Sequence, residues 1–328
     1  MTLPLVTILF PTIGRTEYLS DALLSLREQT YRNLDILVLD NASGHEAQRT
    51  LTAFAAATTN ARILRLDQRV PMFANFNRGI CAAGGKYVVF FHDDDYCHET
   101  FLERHVALLE ASPRAAFAGG NYDVIDRAGR TIARKRFVSK TGTWSGRYFI
   151  ERLCRRGRGD LPTPGLVFRR EAIEARGFDE KLPIHWGDFT ILMRLAEKWD
   201  VAVLADTLFS WRAHGANFSS MAWSQSIPLR TRVLLDYCVE YEKRHPDDSV
   251  FVRRLERFVS RGHRQGLVWG WLSATDEAEA RACRELLQSS SQGTIASTLR
   301  FLELIGLTAG RRRGLATAVR HAGDRLGV

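Results

Sequence analysis

Four short apolar runs, separated by helical stretches, open the chain and restrict its architecture more than any other feature. They are "PLVTILFPT" (4–12), "NLDILVLDNAS" (33–43), "ARILRLD" (61–67) and "GKYVVFF" (85–91). Between the first two, "EYLSDALLSLREQ" sets Leu19, Leu23, Leu24 and Leu26 at helical spacing; "HEAQRTLTAFAAA" and "PMFANFNRGICAA" fill the next two gaps. Strands that are apolar throughout and alternate with helices predict βαβ units and a mostly parallel sheet. In open sheets of this kind ligands sit beyond the carboxyl ends of the strands. Pro11-Thr12, Asp40-Asn41 and Asp93 to Asp95 each follow the end of a predicted strand, so one crevice is expected to gather them.

The last of these groups lies in "FFHDDDYCHE" (90–99). Adjacent carboxylates repel one another unless solvent, a cation or a metal ion neutralises them. An acidic turn or helix start explains such a run in many chains, because Asp caps helices and suits their positive end. Carboxylate oxygens equally suit Mg²⁺ and Mn²⁺, and the expected position at a strand end favours that second explanation.

Beyond Ala115 the pattern loosens. "AAFAGGNYDVID" predicts a strand, the Arg-rich segment with "TGTWSG" a loop, and "PGLVFRREAIEARGFDE" a strand, a short helix and a Gly turn. "DFTILMRLAEKW" is helical, with Ile191, Leu192, Leu195 and Trp199 on one side, and "DVAVLADTLFSWRAH" reads as closing strands. After Ser220 the chain is mainly helical and amphipathic, as in "IPLRTRVLLDYCVEYEKR" and "FVRRLERFVSRGHRQGLVWGWL"; only "SSSQG" (289–293) is low in complexity. The expected division is a catalytic domain over 1–219 and a helical extension over 220–328.

Charge and cysteine usage narrow the setting. The net charge is +9, and between Arg127 and Arg170 thirteen Lys or Arg face two acids, Glu151 and Asp160; "GRRRGLATAVR" adds a second basic patch. Such patches attract phosphate groups, or are simply a solvated face. Cys81, Cys97, Cys154, Cys238 and Cys283 are odd in number and lack CxxC spacing, which favours a reduced, cytoplasmic protein without a zinc site. No run approaches a transmembrane helix in length, and the N-terminus reads as a strand rather than a signal peptide.

The ordered pieces "VTILFPTIGRTEYLSDALLSLREQT", "ILVLDNAS", "FNRGICAAGGKYVVFFHDDD", "GFDEKL" with "WGDFTILMRLA", and "WRAHGANFS" resemble the family 2 glycosyltransferases, over about Val6 to Ser219. The resemblance implies an α/β GT-A (Rossmann-like) fold with helices flanking the sheet. It also implies an inverting transfer from a nucleotide-sugar donor, dependent on Mn²⁺ or Mg²⁺. Asp40 matches the acid that binds the nucleotide base, and a carboxylate accepts well from a uracil or thymine N–H. Pro11, Thr12, Asn41, Arg69, Asn77, Asp93 and Asp94 complete the implied nucleotide-sugar contacts; Asn77 and Arg78 match the Arg-Asn-x-Gly region loosely, with Phe76 in place of the Arg.

The acidic run matches the Asp-x-Asp metal motif in two registers. Asp93 and Asp95 satisfy the spacing directly; alternatively His92 replaces the first acid, and Asp94 or Asp95 holds the metal while the others reach the ribose. Asp95 is the first choice, with Asp93 and His214 as the further implied metal ligands. Asp188 matches the catalytic base, with Gly187 standing where a Glu is usual, and Trp186 is placed to stack on an acceptor sugar.

The implied partners are a nucleotide-sugar donor (UDP- or dTDP-linked, hexosyl or deoxyhexosyl, with a rhamnosyltransferase-like "WRAHGANFS") and a glycan or lipid-linked glycan acceptor in surface polysaccharide synthesis. Peripheral contact with the inner face of the membrane and a homodimer are open in this reading; nucleic acid is not expected. A nucleic-acid- or anionic-lipid-binding protein without catalysis explains the arginines but not the ordered acids. A sugar nucleotidyltransferase needs a Gly-rich, Arg-containing first loop, for which "PTIGRTEY" is a poor substitute.

Overall fold

The computed structural model describes residues 2–156, 161–182, 186–214, 221–274 and 276–290. Asp160, the end of "WRAHGANFS", most of "SSSQG" and the basic stretch at 310–320 lie outside the described residues. The chain divides into two compact units, residues 1–150 with 159–218, and residues 151–158 with 219–328.

The first unit opens with β1 (Val6–Thr12), α1 (Leu19–Arg27), β2 (Leu34–Asn41), α2 (His45–Ala56), β3 (Ala61–Leu66), α3 (Met72–Ala82) and β4 (Tyr87–Phe90). This is the alternation that the apolar runs predict. β5 (Tyr96–Cys97), α4 (Phe101–Ala111), β6 (Ala115–Ile125), β7 (Thr131–Lys135), β8 (Gly142–Trp144) and α5 (Gly146–Arg156) follow, and the division between units falls within α5. Then come β9 (Val167–Arg169), α6 (Arg170–Glu174), α7 (Gly187–Ala196) and β10 (Asp200–Arg212).

The strands form one sheet in the order β3-β2-β1-β4-β9-β6-β10-β5, with β7 on β6 and β8 on β10. β3, β2, β1 and β4 run parallel, as do β6 and β10. β9 joins these two parallel blocks by pairing antiparallel with β4 and β6, so the sheet as a whole is mixed. Val6, Ile8 and Phe10 of β1 pack in one buried cluster with Leu19, Leu23 and Leu26 of α1 and Leu51 of α2. Leu9, Leu37 and Leu39 are fully buried as well, which is why these strands read as unbroken apolar runs.

Three differences from the sequence reading share a cause. β7 and β8 lie in the Arg-rich segment expected as loop, and the predicted closing strands are one long β10. Here pairing to a neighbouring strand supplies the order: Gly142 to Trp144 pair with Val203 to Val201, and Thr131 to Lys135 pair with the end of β6. Exposed side chains on an edge strand carry no apolar signature, so composition hides them.

The second unit contains α8 (Trp223–Arg244), α9 (Ser249–Ser273) and α10 (Glu277–Ser290). Ile227, Leu267, Trp271, Ala280, Cys283 and Leu287 form its core. Arg230 is buried as well and donates from Nη2 to the carbonyl of Gly262 at 2.9 Å. Among the described residues no helix is long and apolar enough to cross a membrane.

Candidate active site

The acidic run leaves the sheet at the end of β4, beside the carboxyl end of β1. Thr12, the last residue of β1, donates Oγ1 to Asp93 Oδ2 at 2.6 Å and accepts from the Gly14 amide at 2.9 Å. Gly14 has φ +87°, and a Cβ there would lie 2.6 Å from the Ser43 Cβ. That left-handed turn, open to glycine, precedes Arg15, whose Nη2 lies 2.5 Å from Asp93 Oδ1 and 2.9 Å from Asp94 Oδ2. One guanidinium therefore serves two adjacent carboxylates.

β10 supplies the opposite wall. The Arg212 amide donates to Asp95 Oδ1 at 3.0 Å, its Nε donates to the Asp94 carbonyl at 2.9 Å, and its guanidinium lies 4.6 Å from the centre of the Tyr18 ring. Two residues on, His214 Nε2 lies 2.9 Å from Asp94 Oδ2, with the ring tilted against Tyr18 at 5.3 Å. All three aspartates and His214 are buried.

Burial sets the charge pattern. It raises Asp93, although Arg15 and Thr12 oppose it, and it raises Asp95 well above the usual carboxylate range, with Asp94 adding repulsion. Asp94 is also buried, but His92, Arg15 and His214 outweigh the burial and hold it below that range. Burial lowers His92, favouring the neutral imidazole.

The cluster retains unused donors of electron pairs. Asp95 Oδ2 and His92 Nε2 are buried without a hydrogen-bond partner, and His92 Nδ1 lies 3.9 Å from that same oxygen. His92, Asp94 and Asp95 each present one ligand atom, all within 4.8 Å of one another. Oxygen donors joined by an imidazole fit a divalent first-row cation. Of the metal ligands that the resemblance implies, Asp93 accepts from Thr12 and Arg15, and His214 Nε2 lies against Asp94 Oδ2, the oxygen that Arg15 also reaches.

Asp40 stands in register with Thr12 across β1 and β2. Its Oδ2 accepts from Arg65 at 2.7 Å and its Oδ1 from the Ser43 amide at 2.9 Å. Asn41 ties the strand end to the next loop, donating to the Val70 carbonyl and accepting from the Val70 amide, both at 2.9 Å. Arg69 is exposed and reaches the Ile13 carbonyl at 3.2 Å. Asn77 faces elsewhere: its amide group bonds both the carbonyl and the N–H of Phe178, at 2.9 and 2.7 Å. Asn75, two residues earlier on α3, is buried and accepts from Arg78 at 2.8 Å; burial lowers the Arg78 guanidinium, with the Asp40 charge opposing that shift.

Asp188 opens α7. Thr163 donates to its Oδ2 at 3.1 Å and the Phe189 amide to its Oδ1 at 3.0 Å, while burial pushes the carboxyl up to about 6. Trp186 stacks on Phe189 at 5.0 Å, and its indole Nε1 is buried without a hydrogen-bond partner. A chain of rings, Phe178 on Phe73, Phe73 on Phe76 and Phe76 near His92 at 6.0 Å, runs from the start of α7 to the acidic cluster.

Arg15, Arg212 and Thr163 were not among the residues that the sequence singles out. Three neighbouring carboxylates at a strand end demand a counter-charge, which is the signal that points to Arg15. Thr163 carries no such signal, since a lone Thr in "LPTPG" is an ordinary turn residue.

A parallel β-α block whose strand ends gather acids, joined by an antiparallel strand to a second block, defines a GT-A-like α/β protein. Residues 7–177 match the model of Glycosyl transferase family 2, over half of the chain, and the protein belongs to that family. An uncharacterized glycosyltransferase of Nostoc sp. is 26% identical over 227 residues, 65% of this chain and 66% of the relative, so just under two thirds of that relative is spanned. Among solved structures, S. aureus TarS 1-349 in complex with UDP-GlcNAc superimposes with a TM-score of 0.65 at 15% identity, covering 87% of this chain and 80% of TarS 1-349. A mannosyltransferase from Pyrobaculum calidifontis in complex with GDP-Man and Mn²⁺ gives a TM-score of 0.59 at 15% identity, covering 98% and 88% of the two chains.

Proposed function

We propose that this chain transfers a sugar from a nucleoside-diphosphate donor, UDP- or dTDP-linked, to a hydroxyl of a glycan or lipid-linked glycan, with inversion at the anomeric carbon. The observation that carries this reading is the pairing of two features in one unit: a buried acidic cluster with unused ligand atoms, and a partly buried Asp188 whose carboxyl is raised to about 6. Family membership and the fold shared with nucleotide-sugar complexes support it.

In this reading Asp40, with Arg65 beside it, receives the nucleotide base, since each carboxylate oxygen keeps a lone pair free. Thr12 and Arg15 fix Asp93 and Asp94 in position, and Arg212 fixes the backbone of Asp94 and Asp95. Asp95 and His92, with Asp94, are the residues that would hold Mn²⁺ or Mg²⁺. A bound divalent cation supplies Lewis-acid stabilisation of the departing diphosphate.

Asp188 takes the proton from the acceptor hydroxyl as that oxygen attacks the anomeric carbon from the face opposite the nucleotide. Thr163 holds the carboxylate, and Trp186 presents an aromatic face to the acceptor sugar. In this reading residues 1–219 are the catalytic domain and 220–328 an extension, of which 221–274 and 276–290 are described. Exposed Arg253, Arg257 and Arg261, spaced four apart on α9, support peripheral contact with an anionic membrane face.

The test is a panel of nucleotide sugars offered with glycan acceptors, with the product anomer read by proton NMR. An inverted product, lost in Asp188→Asn, is expected. A retained configuration contradicts Asp188 as the base.

A further inference from the structure

We propose that His92 supplies a nitrogen ligand to the divalent cation of the acidic cluster, beside Asp95, and that this donor shifts the site's preference from Mg²⁺ toward Mn²⁺ or Co²⁺. The inference rests on the metal-dependent transfer and the ligand set proposed above and deepens them, since it assigns the site a selectivity and the donor that sets it.

The first ground is geometric. His92 Nδ1 and Asp95 Oδ2 lie 3.9 Å apart. That is too long for a hydrogen bond, yet it is within the span of two donors each about 2.1 Å from one ion. Asp95 is only 1% exposed, and its Oδ2 has no hydrogen-bond partner, whereas its Oδ1 accepts from the Arg212 amide. A buried carboxylate oxygen that nothing in the protein satisfies is aimed at whatever fills that gap.

The second ground is how the imidazole is held. His92 Nε2 is buried and likewise lacks a hydrogen-bond partner, and the ring is fixed by packing near Phe76, 6.0 Å away at an interplanar angle of 47°. Packing orients the ring without consuming a nitrogen. His214 differs: its Nε2 lies 2.9 Å from Asp94 Oδ2 and so is engaged with a carboxylate. Of the two histidines at the cluster, His92 is the one with nitrogens to spare.

The third ground is donor chemistry. Mg²⁺ takes oxygen ligands and binds imidazole poorly, whereas Mn²⁺ and Co²⁺ accept both, with affinity for nitrogen-containing sites rising from Mn²⁺ to Co²⁺. A site of Asp94, Asp95 and His92 therefore discriminates against Mg²⁺ more than an all-carboxylate site does.

The test is pulsed EPR on the full chain loaded with Mn²⁺ alone, in wild type, in wild type grown with ¹⁵N-histidine, and in His92→Leu and His214→Ala. Imidazole-nitrogen modulation of the Mn²⁺ signal is expected in wild type, changed by the ¹⁵N label, kept in His214→Ala and lost in His92→Leu. Modulation absent from Mn²⁺-loaded wild type, or lost only in His214→Ala, overturns the assignment. The labelled wild type gives a result even if a variant fails to fold. Failure of wild type to bind Mn²⁺ at all overturns the metal-dependent reading itself, and this inference with it. In parallel, displacement of Mn²⁺ by Mg²⁺ is measured in His92→Asp. The ratio of Mg²⁺ to Mn²⁺ dissociation constants is expected to fall about tenfold, and an unchanged ratio overturns the selectivity.

Discussion

A Cβ on Gly187 would lie 2.2 Å from Cε2 of Phe73, so the phenyl ring occupies the space that any side chain at residue 187 needs. Phe73 in turn stacks on Phe178, with ring centres 5.1 Å apart and planes 9° from parallel. The family resemblance puts a Glu at this position, next to the proposed base. Here an aromatic stack fills the volume, and Asp188 stands at the head of α7 without that neighbouring acid.

Gly187→Ala forces the ring aside. The substitution is expected to cost about 1–3 kcal/mol, the usual range for overpacking, seen as a lower Tm, and Phe73→Leu in the same chain is expected to recover most of it. A Gly187→Ala protein that melts like wild type contradicts this packing.

The pH dependence follows from Asp188. Burial lifts its carboxyl from the ordinary 3.8 to about 6, and a base works only when deprotonated. kcat/KM for transfer is therefore expected to level off above pH 6 and to fall about tenfold per pH unit below it. Asp188→Asn is expected to remove the acid limb with at least about a hundredfold loss of rate. An acid limb that survives in Asp188→Asn assigns the titration to another group.

Thr163 lowers that same carboxyl by donating to Oδ2 at 3.1 Å. Thr163→Val removes the donor, so the acid limb is expected to move up by about one pH unit, matching a hydrogen bond to a charged group. Thr163→Ser is expected to restore it. A Val variant whose profile does not move shows that Thr163 has only a packing role.

Arg15 is the cation shared by Asp93 and Asp94. Arg15→Met is expected to destabilise the metal-free protein by on the order of 2 kcal/mol, read as a lower Tm, and less than a fully buried pair would lose because Arg15 is partly exposed. Added Mn²⁺ is expected to raise Tm more in the variant than in wild type, because an ion then supplies the missing charge. Equal shifts in the two proteins contradict this role for Arg15.

What the sequence makes legible follows from periodicity and burial. β1, β2 and β4 are buried along most of their length and announce themselves as apolar runs, and the acids at the ends of β2 and β4 stand out because charge interrupts those runs. β7 and β8 are ordered by pairing to β6 and β10, not by their own composition, and β5 has only two residues. Long-range partners were equally hidden. Arg15 lies 78 residues from Asp93, and Thr163 lies 25 from Asp188, separations that a single sequence does not connect. Asn77 illustrates the reverse: its motif position suggested a ligand contact, while its amide binds the turn at Phe178.

The most direct measurement is calorimetric titration of UDP, dTDP and GDP, each with and without Mn²⁺, into wild type and Asp95→Ala. Nucleotide binding by the proposed site predicts one preferred nucleotide, bound more tightly with Mn²⁺, with that gain lost in Asp95→Ala. Absence of binding by any nucleotide, or binding that neither Mn²⁺ nor Asp95→Ala alters, contradicts the cluster as the donor site.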